Sequence, residues 1–226
     1  MEIAGFEKLS FIDYPGKACS IVFTPRCNFR CPYCHNFEII NGSQHLIPEK
    51  EVFSFLEKRK GVIDAVEITG GEPTLQFDLI EFIEKVRELG FLIKLDTNGS
   101  NPKMLKQILD LGIVNYVAMD VKAPLKKYEL IAGVKVDEKA IASSIGLIMK
   151  KAPEYEFRTT VFPALKEQDF HEIGELIKGA EKYYLQQFRN KHTLAANHVV
   201  PYPPKKLKEF AEIMKAYVKK VEIRGI

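Results

Sequence analysis

The chain has 226 residues, 46% of them hydrophobic and 28% charged, a composition that can bury a substantial core in one domain and excludes disordered or collagen-like order. Its 33 Lys and Arg stand against 30 Asp and Glu, a formal charge of +3, so no global field demands nucleic acid or an anionic membrane as partner. No apolar run reaches the roughly 18 residues that a membrane span requires. The opening MEIAGFEKLSFIDYPGK carries acids where a secretory leader carries bases and an apolar core, and the expected compartment is the cytoplasm.

In chain order, β-rich runs fall at 18–23 (ACSIVF), 65–69 (AVEIT), 91–95 (FLIKL), 115–120 (NYVAMD), 155–162 (YEFRTTVF) and 183–188 (YYLQQF). Between them, 49–60, 78–90, 102–112, 137–151 and 168–179 carry apolar residues at a spacing near 3.6, as in Leu79, Ile80, Ile83, Val86 and Leu89, which predicts helices. Gly90 and Gly112 stand where helix C-caps are expected, and Asp137 stands where an N-cap is. Strict β-then-α alternation predicts parallel pairing, an α/β sheet either doubly wound or curled into a full or partial barrel, with functional loops at the carboxyl ends of the strands. Residues 189–206 (RNKHTLAANHVVPYPPKK) read as a long loop, lid or linker. A helix at 205–219 and a short strand from Val221 to Arg224 follow, so that 189–226 extends one domain covering 1–226. Lys205, Lys206, Lys208, Lys215, Lys219 and Lys220 read as a solvated helix face rather than a docking surface.

Three of the four cysteines crowd into the window Cys27 to Cys34, against a disulfide framework and in favour of metal or redox chemistry. The fourth, Cys19, lies in an apolar run and reads as a small core residue. The loop Thr24-Pro25-Arg26-Cys27-Asn28-Phe29-Arg30-Cys31-Pro32-Tyr33-Cys34-His35-Asn36 admits four readings. Cys31-Pro32-Tyr33-Cys34 matches a dithiol redox motif, which leaves Cys27 without a purpose. With His35 it reads as C-x-x-C-H haem attachment, usual in exported proteins. Cys27, Cys31, Cys34 and His35 could close a tetrahedral zinc site. Finally, three thiolates could bind a [4Fe-4S] cluster, leaving one iron open to a chelating ligand.

The spacing C-x3-C-x2-C with an aromatic residue before the third cysteine resembles the signature of the radical S-adenosylmethionine superfamily. The remaining strand ends are similar to other parts of that family's pattern. Thr69-Gly70-Gly71-Glu72-Pro73, where paired glycines permit a sharp turn and close backbone approach, resembles the motif that binds the methionine amino group. Asp96-Thr97-Asn98-Gly99, which alone could be an ordinary turn, and Met119-Asp120-Val121-Lys122, which alone could be an ion pair, together resemble the glycyl-radical-enzyme activase branch. The opening Leu9-Ser10-Phe11-Ile12-Asp13-Tyr14-Pro15-Gly16-Lys17, followed by CNFRCPYCHN, looks most like activating proteins of the anaerobic class III ribonucleotide reductase. Many relatives carry Gln-Gly before the first cysteine; this chain has Pro25-Arg26, and the stretch TLAANHVV matches no family motif.

The resemblance implies a partial, open (β/α)6 barrel. Cys27, Cys31 and Cys34 would bind a [4Fe-4S] cluster, and Tyr33 and the backbone through His35 would lie near the adenine of S-adenosylmethionine. Gly70, Gly71 and Glu72 would meet its amino group, Lys122 its carboxylate, and Asn98 would join the polar groups about its ribose and methionine. Asp96, Thr97 and Asp120 would suit a small monovalent cation, and Arg158 is a further pocket residue. Reductive cleavage of the sulfonium would yield methionine and a 5'-deoxyadenosyl radical, which takes hydrogen from a glycine Cα of the reductase. The electron would come from a reduced flavodoxin- or ferredoxin-type donor. A small-molecule radical enzyme, such as one building a deazapurine, shares every motif through Lys122. A noncatalytic zinc or electron-transfer module explains only the cysteines.

Overall fold

The β-branched and aromatic runs form strands and the amphipathic runs form the helices that cover them. The computed structural model describes residues 1–42, 45–194 and 199–226. Eight strands form one sheet in sequential order: β1 (Gly5–Ser10), β2 (Cys19–Thr24), β3 (Ala65–Gly70), β4 (Leu92–Thr97), β5 (Tyr116–Asp120), β6 (Glu154–Val161), β7 (Lys182–Gln187) and β8 (Lys220–Arg224). From β2 to β8 every pairing is parallel. Helices α1 (Glu49–Glu57), α2 (Leu79–Glu88), α3 (Pro102–Leu111), α4 (Tyr128–Ala132), α5 (Glu138–Lys151), α6 (Glu167–Leu176) and α7 (Pro204–Met214) lie in the connections. The sheet curls without closing, so the alternation yields an open barrel rather than the doubly wound alternative.

Two elements lie outside the sequence reading. Strand β1 pairs antiparallel with β2 and extends the six predicted βα units at one edge. Its residues GFEKLS are half-buried to exposed, so it carries no apolar alternation to betray it. Helix α4 is a single turn too short to show a period; its αL cap Gly133 packs against the carbonyl of Arg30. The predicted helix 205–219 ends at Met214. Asp137 caps α5 by accepting from the amides of Lys139 and Ala140, and Gly112 closes α3 in the left-handed conformation. The residues 195–198 of the predicted loop lie outside the described residues, as does that part of TLAANHVV. On α7 and after it, Lys206, Lys215, Lys219 and Lys220 each meet a carboxylate, those of Glu209, Glu212, Glu181 and Glu222, which suits a solvated face.

The period of two along each strand divides the interior. One face packs on the helices: Val66, Ile68, Ile93, Leu95, Val117 and Met119 meet Phe82, Ile83, Leu105, Ile108 and Ile145 in a continuous apolar core. The other face lines the barrel. Its floor is a small cluster of Tyr14, Cys19, Ile21, Ala65, Tyr116 and Ala118, which places Cys19 in the core as expected. Toward the carboxyl ends this face turns polar, with Glu67, Lys94, Asp96 and Glu156 buried. Burial of so many ionisable groups is tolerable only because they are partnered, and that layer is the platform of the site.

Candidate active site

One cavity of about 340 Å3 opens at the carboxyl ends of the strands. Its wall gathers Cys27, Cys31, Cys34, Tyr33 and His35 from the loop after β2. It gathers Gly70, Gly71 and Glu72 from the end of β3, Asp96, Thr97 and Asn98 from β4, Asp120 and Lys122 from β5, and Arg158 from β6. Every site residue named from the sequence therefore faces one space, and Cys19 does not. Thr69, Thr160, Gln186, Gln187 and Asn36 complete it on sides that sequence reading did not single out.

The cysteine loop is tied down along its length. Arg26 adopts a left-handed backbone, φ 64°. That conformation costs a residue with a Cβ about 1–2 kcal/mol, and here it is held by fixed partners. Arg26 N donates to Ile39 O at 2.9 Å, its own carbonyl accepts from Glu72 N at 2.8 Å, and its guanidinium pairs with Glu2. Arg30 N donates to Ala132 O at 2.7 Å, which docks the loop on α4. Two glycines make the contact with β3 possible. Gly70 has φ 111°, and a Cβ on Gly71 would lie 1.8 Å from the Arg26 carbonyl oxygen, so the paired glycines admit the cysteine loop itself.

Glu72 is 1% exposed and its carboxylate is fully engaged. Oε1 accepts from the amide and hydroxyl of Thr74 and from Thr97 Oγ1 at 2.8 Å, and Oε2 accepts from Asn98 N at 2.7 Å. Burial raises its pKa despite these donors. The residue therefore clasps the ends of β3 and β4 together beneath the cavity.

Below and beside it runs an ionic chain. Lys94 Nζ, buried, lies 2.7 Å from Glu67 Oε1 and 2.8 Å from Asp96 Oδ1. Arg158 bridges two carboxylates, Nη2 at 2.9 Å from Asp96 Oδ2 and Nε at 2.9 Å from Asp120 Oδ1. Lys122 Nζ lies 3.2 Å from Asp120 Oδ2. All four oxygens of Asp96 and Asp120 thus contact a cationic nitrogen. Burial alone would raise both acids, but Arg158, aided by Lys94 at Asp96 and by Lys122 at Asp120, outweighs it and holds both below the usual carboxylate range. Arg158 thus lies between Asp96 and Asp120, the two carboxylates beside which a small cation was expected. Sequence reasoning missed Glu67 and Lys94. Their signal was a charge at alternate positions of strands otherwise apolar.

The three cysteines fit an iron-sulfur cluster better than a mononuclear metal. Among the described residues no three His, Cys, Asp or Glu side chains gather closely enough to bind one ion, as the zinc reading requires, whereas a cubane takes one thiolate per iron. Burial pushes the Cys27 thiol up to about 11 and raises those of Cys31 and Cys34. Thiolates in such a place need a bound positive partner, which a cluster provides. Lys122, 6% exposed and sharing the cavity, offers an ammonium to an anionic ligand group. Tyr33 packs its ring against Phe162, 5.8 Å between centroids, with Lys122 Nζ 5.7 Å from the ring.

Comparison with known proteins agrees with this chemistry. A protein of Methanocaldococcus jannaschii named "Putative glycyl-radical enzyme activating enzyme" is 34% identical over 232 residues, spanning 99% of this chain and 96% of its own. Two solved structures share the fold at low sequence identity. SuiB of Streptococcus suis bound to the precursor peptide SuiA aligns with a TM-score of 0.69 at 16% identity, over 91% of this chain and 48% of that one. A domain of pyruvate-formate lyase-activating enzyme from Bacteroides vulgatus aligns with a TM-score of 0.58 at 15% identity, over 72% of this chain and 99% of that one. Residues 21–177 match the family model of the radical SAM superfamily, which spans the cysteine loop and the strand ends as far as Arg158. By its cysteine loop, its open α/β barrel and this match, the chain is a radical SAM enzyme and belongs to that superfamily.

Proposed function

We propose that this protein is an activase that generates a glycyl radical on a partner enzyme, and that the partner is an anaerobic class III ribonucleotide reductase. The observation that carries the activase reading is the end-to-end similarity to the archaeal relative, whose name gives that activity. The reductase reading rests on the opening LSFIDYPGK and on CNFRCPYCHN, together with DTNG and DVK. A reduced flavodoxin- or ferredoxin-type protein is the proposed electron donor.

In this reading Cys27, Cys31 and Cys34 hold the [4Fe-4S] cluster, and the other cavity residues hold S-adenosylmethionine. When bound, that pair supplies reductive cleavage of the sulfonium and the hydrogen-abstracting chemistry of the superfamily. The protein's own groups position and protect it. The Gly70-Gly71 turn keeps side chains away from the cysteine loop, and Glu72 fixes the turn against Asn98. Lys122 presents its ammonium to the methionine carboxylate. Asp120 orients Lys122, and Arg158 keeps Asp120 ionised and fixed. Tyr33 and the backbone to His35 form the wall proposed for adenine. Thr160 and Gln186, whose Oγ1 and Oε1 lie 3.5 Å apart, line the side of the cavity on β6 and β7, and the open barrel leaves a path for a polypeptide loop.

The test is direct. Anaerobically reconstituted protein, reduced and given S-adenosylmethionine with the class III reductase of the same organism, should produce a stable glycyl-radical doublet on the reductase. Cleavage of S-adenosylmethionine without that doublet would leave the superfamily assignment standing and remove the activase reading, and a small-molecule substrate would take its place.

A further inference from the structure

We propose that Asn98 tunes the reduction potential of the cluster by donating a side-chain N–H to the sulfur of Cys27. The inference rests on the cluster assignment and is independent of the substrate on which the enzyme acts.

The geometry leaves the Asn98 amide one orientation. Its Oδ1 accepts from Ser100 N at 2.9 Å, so Nδ2 must face the other way. There one N–H donates to Asn28 Oδ1 at 2.9 Å, and the second lies 3.8 Å from Cys27 Sγ. Asn28 in turn donates to Ser100 Oγ at 2.8 Å, closing a ring of three residues, through the backbone N–H of Ser100, beside the first cysteine. The backbone of Asn98 is pinned by Glu72 Oε2, and the residue is 6% exposed. Cys27 receives a second N–H from the backbone of Phe29 at 3.4 Å. A tie between loops needs only one of these bonds; the N–H directed at sulfur is surplus to it.

The reaction affected is a one-electron step. An external reductant would supply the electron to the bound cluster, no bond would be made or broken, and part of the added negative charge would rest on the coordinating cysteine sulfurs. A fixed donor beside one sulfur is worth more after reduction than before, so it raises the potential; hydrogen bonds to sulfur are an established lever on such clusters. Only an amide meets the geometry. Aspartate at this position would keep the acceptor for Ser100 N and set an oxygen opposite the sulfur.

The test uses the full-length protein with its cluster assembled anaerobically, titrated with dithionite and mediators and followed by the electron paramagnetic resonance of the reduced cluster. Asn98→Ala should make one-electron reduction about tenfold less favourable, a potential lower by about 59 mV. Ser100→Ala, which loosens the same ring without removing the N–H that faces sulfur, should leave the potential where it is. An unchanged potential in Asn98→Ala, or equal shifts in both variants, would overturn the proposal. Should Asn98→Ala lose its cluster, wild-type protein labelled with 15N only at asparagine side chains answers the same question. A weak 15N coupling to the reduced cluster that disappears in Asn98→Asp supports the donor role, and the absence of that coupling from the wild type, or its survival in Asn98→Asp, refutes it.

Discussion

At the scale of single residues, the site depends on charges whose partners are fixed. Lys122 is buried with Asp120 as its carboxylate neighbour, and a ligand carboxylate would be its second. Lys122→Ala should leave iron content intact and weaken S-adenosylmethionine binding. A charged hydrogen bond is worth about 1.5–3 kcal/mol, roughly one to two decades in affinity. Calorimetric titration of the cluster-loaded variant checks this, and an unchanged affinity would make Lys122 a purely structural partner of Asp120. One layer lower, Glu67 shares Lys94 with Asp96 and its second oxygen, Oε2, is buried without a partner. Burial, then the nearby Asp96 charge, pushes its pKa up to about 8, from 4.5. The folded state therefore keeps a proton that the unfolded chain has released, and stability falls as pH rises from about 4.5 to 8. Asp96, shifted the other way, is ionised in both states throughout that window and adds no slope. The melting temperature of the wild type should fall from pH 5 to pH 8 by more than that of Glu67→Gln; parallel pH profiles would mean that Lys94 keeps Glu67 ionised throughout.

At the scale of elements, the last strand is held by charge as well as by its ladder. Arg224 on β8 reaches across β7 to Glu156 on β6, its two terminal nitrogens 2.6 and 2.9 Å from the two carboxylate oxygens. Its guanidinium lies 3.5 Å from the centre of the Tyr184 ring. Glu156 is wholly buried and also accepts from Tyr116 OH at 2.8 Å. Arg224→Ala should destabilise the protein by about 1.5–3 kcal/mol, read by denaturant unfolding; loss of less than about 0.5 kcal/mol, the range of ordinary surface substitutions, would mean that hydrogen bonding within the sheet alone secures β8. The elements also differ in how far the sequence disclosed them. Strands β2 to β7 and helices α1, α2, α3, α5 and α6 were legible because each carries its own apolar period, and Asp137, Gly90 and Gly112 marked ends by local chemistry. Strand β1 and helix α4 were not, because β1 exposes much of its surface and α4 is one turn long. Both derive their order from distant partners, β2 for the strand and the Arg30 segment for the helix.

At the scale of the whole molecule, the fold gathers short motifs far apart in sequence onto one rim. The cysteines, the Gly-Gly turn, DTNG and DVK were readable because each sits at a strand's carboxyl end, and parallel strands bring those ends together. The functions of Arg158 and Lys94 were not readable, since they depend on which carboxylates the barrel's curvature brings near them. Nor was the left-handed backbone of Arg26, which is held by its bonds to Glu2, Ile39 and Glu72. The molecule combines a cysteine loop clasped to β3 and β4, a charged platform beneath it, and an open side at which the proposed function places a segment of the partner protein. On the proposed function the enzyme takes a hydrogen atom directly from a glycine of a partner protein. The most direct measurement incubates the reduced enzyme and S-adenosylmethionine with class III reductase whose glycines are deuterated at Cα, and determines deuterium in the 5'-deoxyadenosine released. Direct abstraction should place deuterium in that product and collapse the glycyl doublet. 5'-Deoxyadenosine that forms without deuterium, with no radical on the reductase, would contradict it.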